Sequence, residues 1–142
     1  MKSRKTIIAL ALVVLIVPVL AACGGPAKVD VALTTYAITP DKNSVPAGEV
    51  TFNIHNDATD LTHEFVVFQT DLPEDQLPLT DEGIVDEEAA GITLIDEAED
   101  IEPGMSTELT VNLDPGNYVL VCNTDSDEMH YQHGMHVAFT VQ

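Results

Sequence analysis

This chain of 142 residues predicts an all-β sandwich of about seven strands. Short runs rich in Val, Ile, Thr, Tyr and Phe recur at close spacing, each bounded by Gly, Pro, Asn or Asp. Beyond residue 22 no segment holds a long helical period, and strands do not alternate with helices as they would in a parallel sheet.

The first 22 residues stand outside that fold. Lys2, Arg4 and Lys5 precede an apolar run from Ile7 to Leu20, and Leu20-Ala21-Ala22-Cys23 closes it. Charged, apolar and small-residue regions in that order form a secretory signal, and the run is short for a spanning helix. The cleavage region resembles the lipobox of bacterial lipoproteins. The resemblance implies a lipoprotein signal peptide over 1–22, a lipidated tether over 23–28 that starts at Cys23, and one domain over 29–142. An uncleaved membrane anchor is the alternative. Either way the domain is expected outside the cytoplasm, on the outer face of the cell membrane.

The elements follow in order. Val29 to Thr39 is one β-rich run that ends at Pro40-Asp41, and Pro46-Ala47-Gly48 is a turn. Glu49 to Asn56 alternates, with Val50, Phe52 and Ile54 on one face, so it is a half-buried strand. Thr59 to Thr62 is a loop that delivers His63, and Glu64 to Phe68 is the next strand. Asp71 to Ala90, broken by Pro73, Pro78 and Gly83, is a long acidic loop with one or two helical turns expected over 82–90. Gly91 to Ile95 is a short strand, and Ser106 to Leu113 is a strand with Leu109, Val111 and Leu113 inward. Asp114-Pro115-Gly116 turns into Asn117 to Cys122, and these two strands are expected to form a hairpin. His136 to Val141 is the last strand.

Once the leader is removed, Lys28 and Lys42 face 24 acids, a formal charge of −22. That surface repels nucleic acid and anionic lipid heads, which argues against phosphate-binding functions. The acids are spread from Asp30 to Glu128, the pattern of a solvated surface in a salty medium.

The chemistry gathers in the last third. With Cys23 consumed by lipid, Cys122 is the single remaining thiol, unusual in an exported protein. It is either a metal ligand or a buried inert thiol. His130 and Met135 follow within one short segment, and His63-Glu64 lies upstream. Two imidazoles, a thiolate and a thioether suit copper cycling between Cu(I) and Cu(II): soft sulfur favours the reduced ion, while nitrogen keeps the oxidised one bound.

At these residues the chain resembles the cupredoxins, the blue copper family, of the small single-domain plastocyanin or sulfocyanin type. Four stretches carry the resemblance: Asn56 with His63-Glu64-Phe65, the run Leu113 to Cys122, His130-Tyr131 with Gly134-Met135, and Phe139 with Val141. It implies a Greek-key β-sandwich and a single copper ion. His63, Cys122 and His130 would lie in the trigonal plane, with Met135 as the long axial ligand. His133 could stand in for His130, and Met129 for Met135; His136 could join His133 in a secondary metal contact. Seven residues separate Cys122 from His130, a longer loop that resembles those of copper nitrite reductases. Asp125, Asp127 and Glu128 in that loop would favour Cu(II) and lower the potential.

Outer contacts are expected from the backbone N–H of Glu64 to the Cys122 sulfur, and from Asn56 and Asn123 tying the His63 loop to the Cys122 strand. In the family electrons usually leave through an exposed ligand histidine, here His130, in a patch for which Tyr131, Met129 and Met135 are candidates. The function so implied is one-electron transfer, not enzymatic, with a redox protein or a membrane oxidase or reductase as partner. The alternative is storage of copper or its delivery to a membrane oxidase.

Overall fold

The computed structural model describes residues 25–124 and 128–142. The signal segment, Cys23, Asp125 and Asp127 lie outside the described residues.

The strands are β1 (Ala27–Thr34), β2 (Ala37–Pro40), β3 (Ser44–Val45), β4 (Gly48–Asn56), β5 (His63–Gln69), β6 (Thr93–Ile101), β7 (Ser106–Leu113), β8 (Gly116–Val121) and β9 (His136–Val141). They form a four-stranded sheet in the order β2-β1-β4-β7 and a five-stranded sheet in the order β3-β9-β8-β5-β6. Both sheets are mixed, because β1 runs parallel to β4 and β3 parallel to β9. The all-β sandwich stands, with nine strands among the described residues instead of seven.

The differences have local causes. The first expected strand is two, because the chain reverses at Thr35-Tyr36 and β2 folds back antiparallel on β1. β6 runs nine residues through Asp96, Glu97, Glu99 and Asp100, where acidity hid the strand signal. It is an edge strand, and its charges discourage pairing with another chain. No helix forms over 82–90; turns and one bridge, Leu79 with Val85, hold the acidic loop instead. The expected hairpin is absent as well, since β7 pairs with β4 while β8 pairs with β5 and β9. β7 alternates buried and exposed residues as an edge strand does. Tyr118 to Val121 is buried on both faces and takes the centre of the other sheet.

Two cores result. The main one lies between the sheets and includes Val29, Phe52, Ile54, Phe65, Leu120 and Phe139. Phe52 packs against Phe65 and Phe139 at ring distances of 5.3 and 5.5 Å. A second core lies outside the five-stranded sheet, where Leu77, Val85 and Ile92 of the acidic loop cover Val66, Phe68, Val119 and Val121. That cover accounts for the unbroken apolar run in β8 and in the middle of β5.

Candidate metal centre

The centre sits at one end of the sandwich, where β5 begins, β8 ends and the segment before β9 returns. Asn56 sets the first approach. Its side-chain amide donates to the carbonyls of Leu61 and Ile101, both at 2.8 Å, and its oxygen accepts from Ala58 N–H at 2.9 Å. The loop before His63 is thereby closed, and His63 enters β5 with 1% exposure.

Cys122 follows β8 directly and is fully buried. Its N–H donates to the carbonyl of Met135 at 3.0 Å, which pulls the returning loop onto the strand end. A single 3₁₀ turn, Tyr131–His133, lies between, and His130 O accepts from the N–H of both His133 and Met135 at 3.1 Å. Gly134, at φ 96°, turns the chain back in a conformation that strains any residue with a Cβ. Asn123 anchors the other side: its amide receives Val85 N–H at 2.7 Å and donates to Val85 O and to the Glu87 carboxylate. The two asparagines therefore hold separate loops, one before His63 and the acidic one, instead of joining the His63 loop to the Cys122 strand.

Three donor atoms meet at this end. His63 Nδ1 lies 3.1 Å from His130 Nδ1, and Cys122 Sγ lies 3.7 and 3.4 Å from the two nitrogens. Imidazole nitrogen and thiolate sulfur bind zinc at about 2.0–2.1 and about 2.3 Å. At those lengths a trigonal plane would separate its nitrogens by about 3.5 Å and each nitrogen from sulfur by about 3.8 Å. The observed triangle is within a few tenths of an ångström of that plane. Both Nε2 atoms are buried without a hydrogen-bond partner, so each ring's polar contact is the nitrogen that faces the sulfur. Met135 is fully buried and held by backbone bonds to both Cys122 and His130. The residues fit a single metal ion of copper character.

Electrostatics prepare the donors. Burial and the neighbouring His130 push His63 down to about 4, and burial lowers His130, so both rings are neutral with free lone pairs at neutral pH. Burial pushes the Cys122 thiol up to about 11, against the Glu64 N–H that donates to its sulfur at 3.3 Å. A bound cation reverses that balance, and ion binding releases the thiol proton. Glu64 itself is raised to about 8, first by burial and then by Glu97 and Glu87. Glu64, Glu97 and Glu99 bring carboxylate oxygens within 4.8 Å of one another in a cleft of about 310 Å³ beside His63. A larger groove of about 840 Å³ on the outer face of the four-stranded sheet includes none of the four candidate ligands.

One expectation fails. His130 is 1% exposed and Tyr131 and Met135 are buried, so they do not make a surface patch. Tyr131 faces the second core, accepting Leu77 N–H at 2.9 Å and donating to Glu74 O at 3.0 Å. Among the described residues, Tyr36 packs its ring on His130 from the turn between β1 and β2. Its ring meets His130 edge-on at 5.6 Å and stacks on exposed His133 at 4.7 Å, while its hydroxyl donates to the Glu128 carboxylate. Tyr36 lies in a turn inside an otherwise β-rich run, so nothing in the linear order marks it. Among the remaining histidines, His55 contacts Ser106 and Asp57, and His136 lies against Tyr131 and Glu74; neither enters the centre. Met129 lies near Gly83.

Known proteins share this fold. The family profile described as the cupredoxin-like domain matches residues 6–137. Among solved structures, dithionite-reduced auracyanin from Roseiflexus castenholzii is 24% identical, covers 84% of this chain and 99% of its own, and superposes with a TM-score of 0.58. Reduced rusticyanin is 18% identical over 84% of this chain and 81% of its own, with a TM-score of 0.62. Auracyanin A from Chloroflexus aurantiacus, described as a "blue" copper protein, is 17% identical over 83% of this chain and 100% of its own, with a TM-score of 0.58. These likenesses show the fold. No curated protein matches the chain. Within that fold the arrangement of His63, Cys122, His130 and Met135 fits a single type 1 copper site.

Proposed function

Because the chain belongs to the cupredoxin-like family, we propose that it is a one-electron carrier rather than an enzyme, held on the outer face of the cell membrane by lipid on Cys23. One observation carries the reading: two imidazole Nδ1 atoms and the Cys122 sulfur converge inside a buried pocket, within 3.1 to 3.7 Å of one another.

His63, Cys122 and His130 would hold the ion in one plane, with Met135 alongside. Bound copper would supply the one-electron couple. The chain's own task is to keep its donors still when the charge changes. His63 is fixed by the Asn56-closed loop, Cys122 by the end of a central strand, and His130 and Met135 by the backbone bonds that fold their loop back. Little has to move, so little reorganisation opposes transfer. The Glu64 N–H donates to sulfur, drawing charge off the thiolate and supporting the reduced state. A redox protein or a membrane oxidase or reductase is the partner this role requires.

Storage or delivery of copper is the weaker reading, because release calls for an exposed, loosely held site and all four residues are buried. The deciding experiment compares visible absorption and electron paramagnetic resonance of the Cu(II)-loaded full chain with Cys122→Ser. We expect an intense thiolate-to-copper band and narrow hyperfine splitting, both lost in the variant. A colourless protein that takes up only Cu(I) would favour delivery, and no uptake of either ion would end the copper reading.

A further inference from the structure

The donors converge at one end of the sandwich, where His130 on the returning loop is 1% exposed and its Nε2 is buried. One ring packed on it comes from far along the chain. Tyr36 stands in the turn between β1 and β2, half-buried, and lies edge-on to His130 and stacked on His133. Its hydroxyl is tied down by Glu128, two residues before the ring it covers. Four rings thus form a continuous series, His63, His130, Tyr36 and His133, at centroid distances of 4.9, 5.6 and 4.7 Å. Of these four, only Tyr36 and His133 reach the surface.

We propose that Tyr36 is a positioning residue of the metal centre: its ring fixes His130 from the side of the β1–β2 turn. Only its effect on the potential rests on the electron-carrier reading. The cover itself is a property of the metal-free chain. Tyr36 packs on His130 by aromatic edge-to-face contact, a geometry that favours one ring orientation over free rotation. An apolar cover also keeps water from the ring, which weakens stabilisation of the more highly charged oxidised state.

The test begins without metal. The full chain, wild type and with Tyr36→Phe or Tyr36→Ala, is treated with diethyl pyrocarbonate, and carbethoxylated histidines are located by mass spectrometry. We expect exposed His133 to react at least about tenfold faster than His130 in the wild type and in Tyr36→Phe. In Tyr36→Ala, His130 should approach the rate of His133, with His63 still protected as the sign that the fold is kept. Equal rates for His130 and His133 in the wild type would overturn the cover, whatever the variants do. The second arm uses the copper-loaded proteins: Tyr36→Ala should lower the midpoint potential and Tyr36→Phe should shift it less. A purely structural tyrosine would reduce thermal stability and leave the potential where it was, and that outcome would overturn the positioning role. Failure of the wild type to give a thiolate-to-copper band would end the carrier reading and leave the carbethoxylation result standing.

Discussion

Glu64 shows how much one side chain at the rim of the site can do. Its N–H faces the Cys122 sulfur while its carboxyl, part-buried beside Glu97, is held near 8 instead of the usual carboxylate range. The folded state therefore keeps a proton that the unfolded chain gives up above about pH 4.5, so this group's contribution to stability is full in acid and is lost as pH rises towards 8. His63 acts in the opposite sense: its depressed value costs stability as pH falls below 6.5. Between pH 6.5 and 8 only the Glu64 slope of the two remains. Urea unfolding of the metal-free protein should show stability falling across that window, and Glu64→Gln should flatten the fall; an unchanged slope would remove Glu64 from the account. The donors themselves were legible in sequence, because thiolate, imidazole and thioether are distinctive chemistry in a short segment. Tyr36 was not legible, because a tyrosine in a β-rich run carries no mark of the ring it will meet 94 residues later.

Among the elements, the acidic loop between β5 and β6 is the one whose role linear reading missed. Prolines and charges suggested a solvated excursion with a helical turn. In the structure Leu77, Val85 and Ile92 cover the outer face of the five-stranded sheet, and Tyr131 ties the loop to the 3₁₀ turn after His130. The apolar residues of this stretch, Leu72, Leu77, Leu79, Ile84, Val85 and Ile92, follow no period that separates the three that become buried from the rest, so the pattern could not announce a second core. The strands with clear alternation, β4 and β7, were read correctly to within a residue for the same reason in reverse. The Tyr131 hydroxyl gives this element a direct test. Tyr131→Phe leaves the buried Leu77 N–H without its acceptor, which should cost about 1–3 kcal/mol of stability in chemical unfolding. Because the loop also meets the Cys122 strand at Asn123, copper retention against a chelator should fall in the same variant.

For the molecule as a whole, β1 gives a direction. It starts at Ala27, next to Val50, and ends at Thr34 beside the Asn56 end of β4, so the chain enters the domain at the pole opposite the metal centre. The two lysines that follow the leader, Lys28 and Lys42, meet at that entry pole, where the Lys42 ammonium donates to Lys28 O. If Cys23 bears lipid, Cys23→Ser should move the protein from the membrane fraction to the soluble fraction, and a variant that stays with the membrane would remove the lipid anchor from the proposal. With that anchor, β1 acts as a spacer. The seven steps between its eight residues, at about 3.3 Å each, put the Thr34 end some 23 Å from the point of entry, about three Debye lengths at physiological salt. Were β1 to stand along the membrane normal, an acidic centre at that distance would lie beyond the repulsive potential of an anionic bilayer, free to meet a partner that stands equally tall.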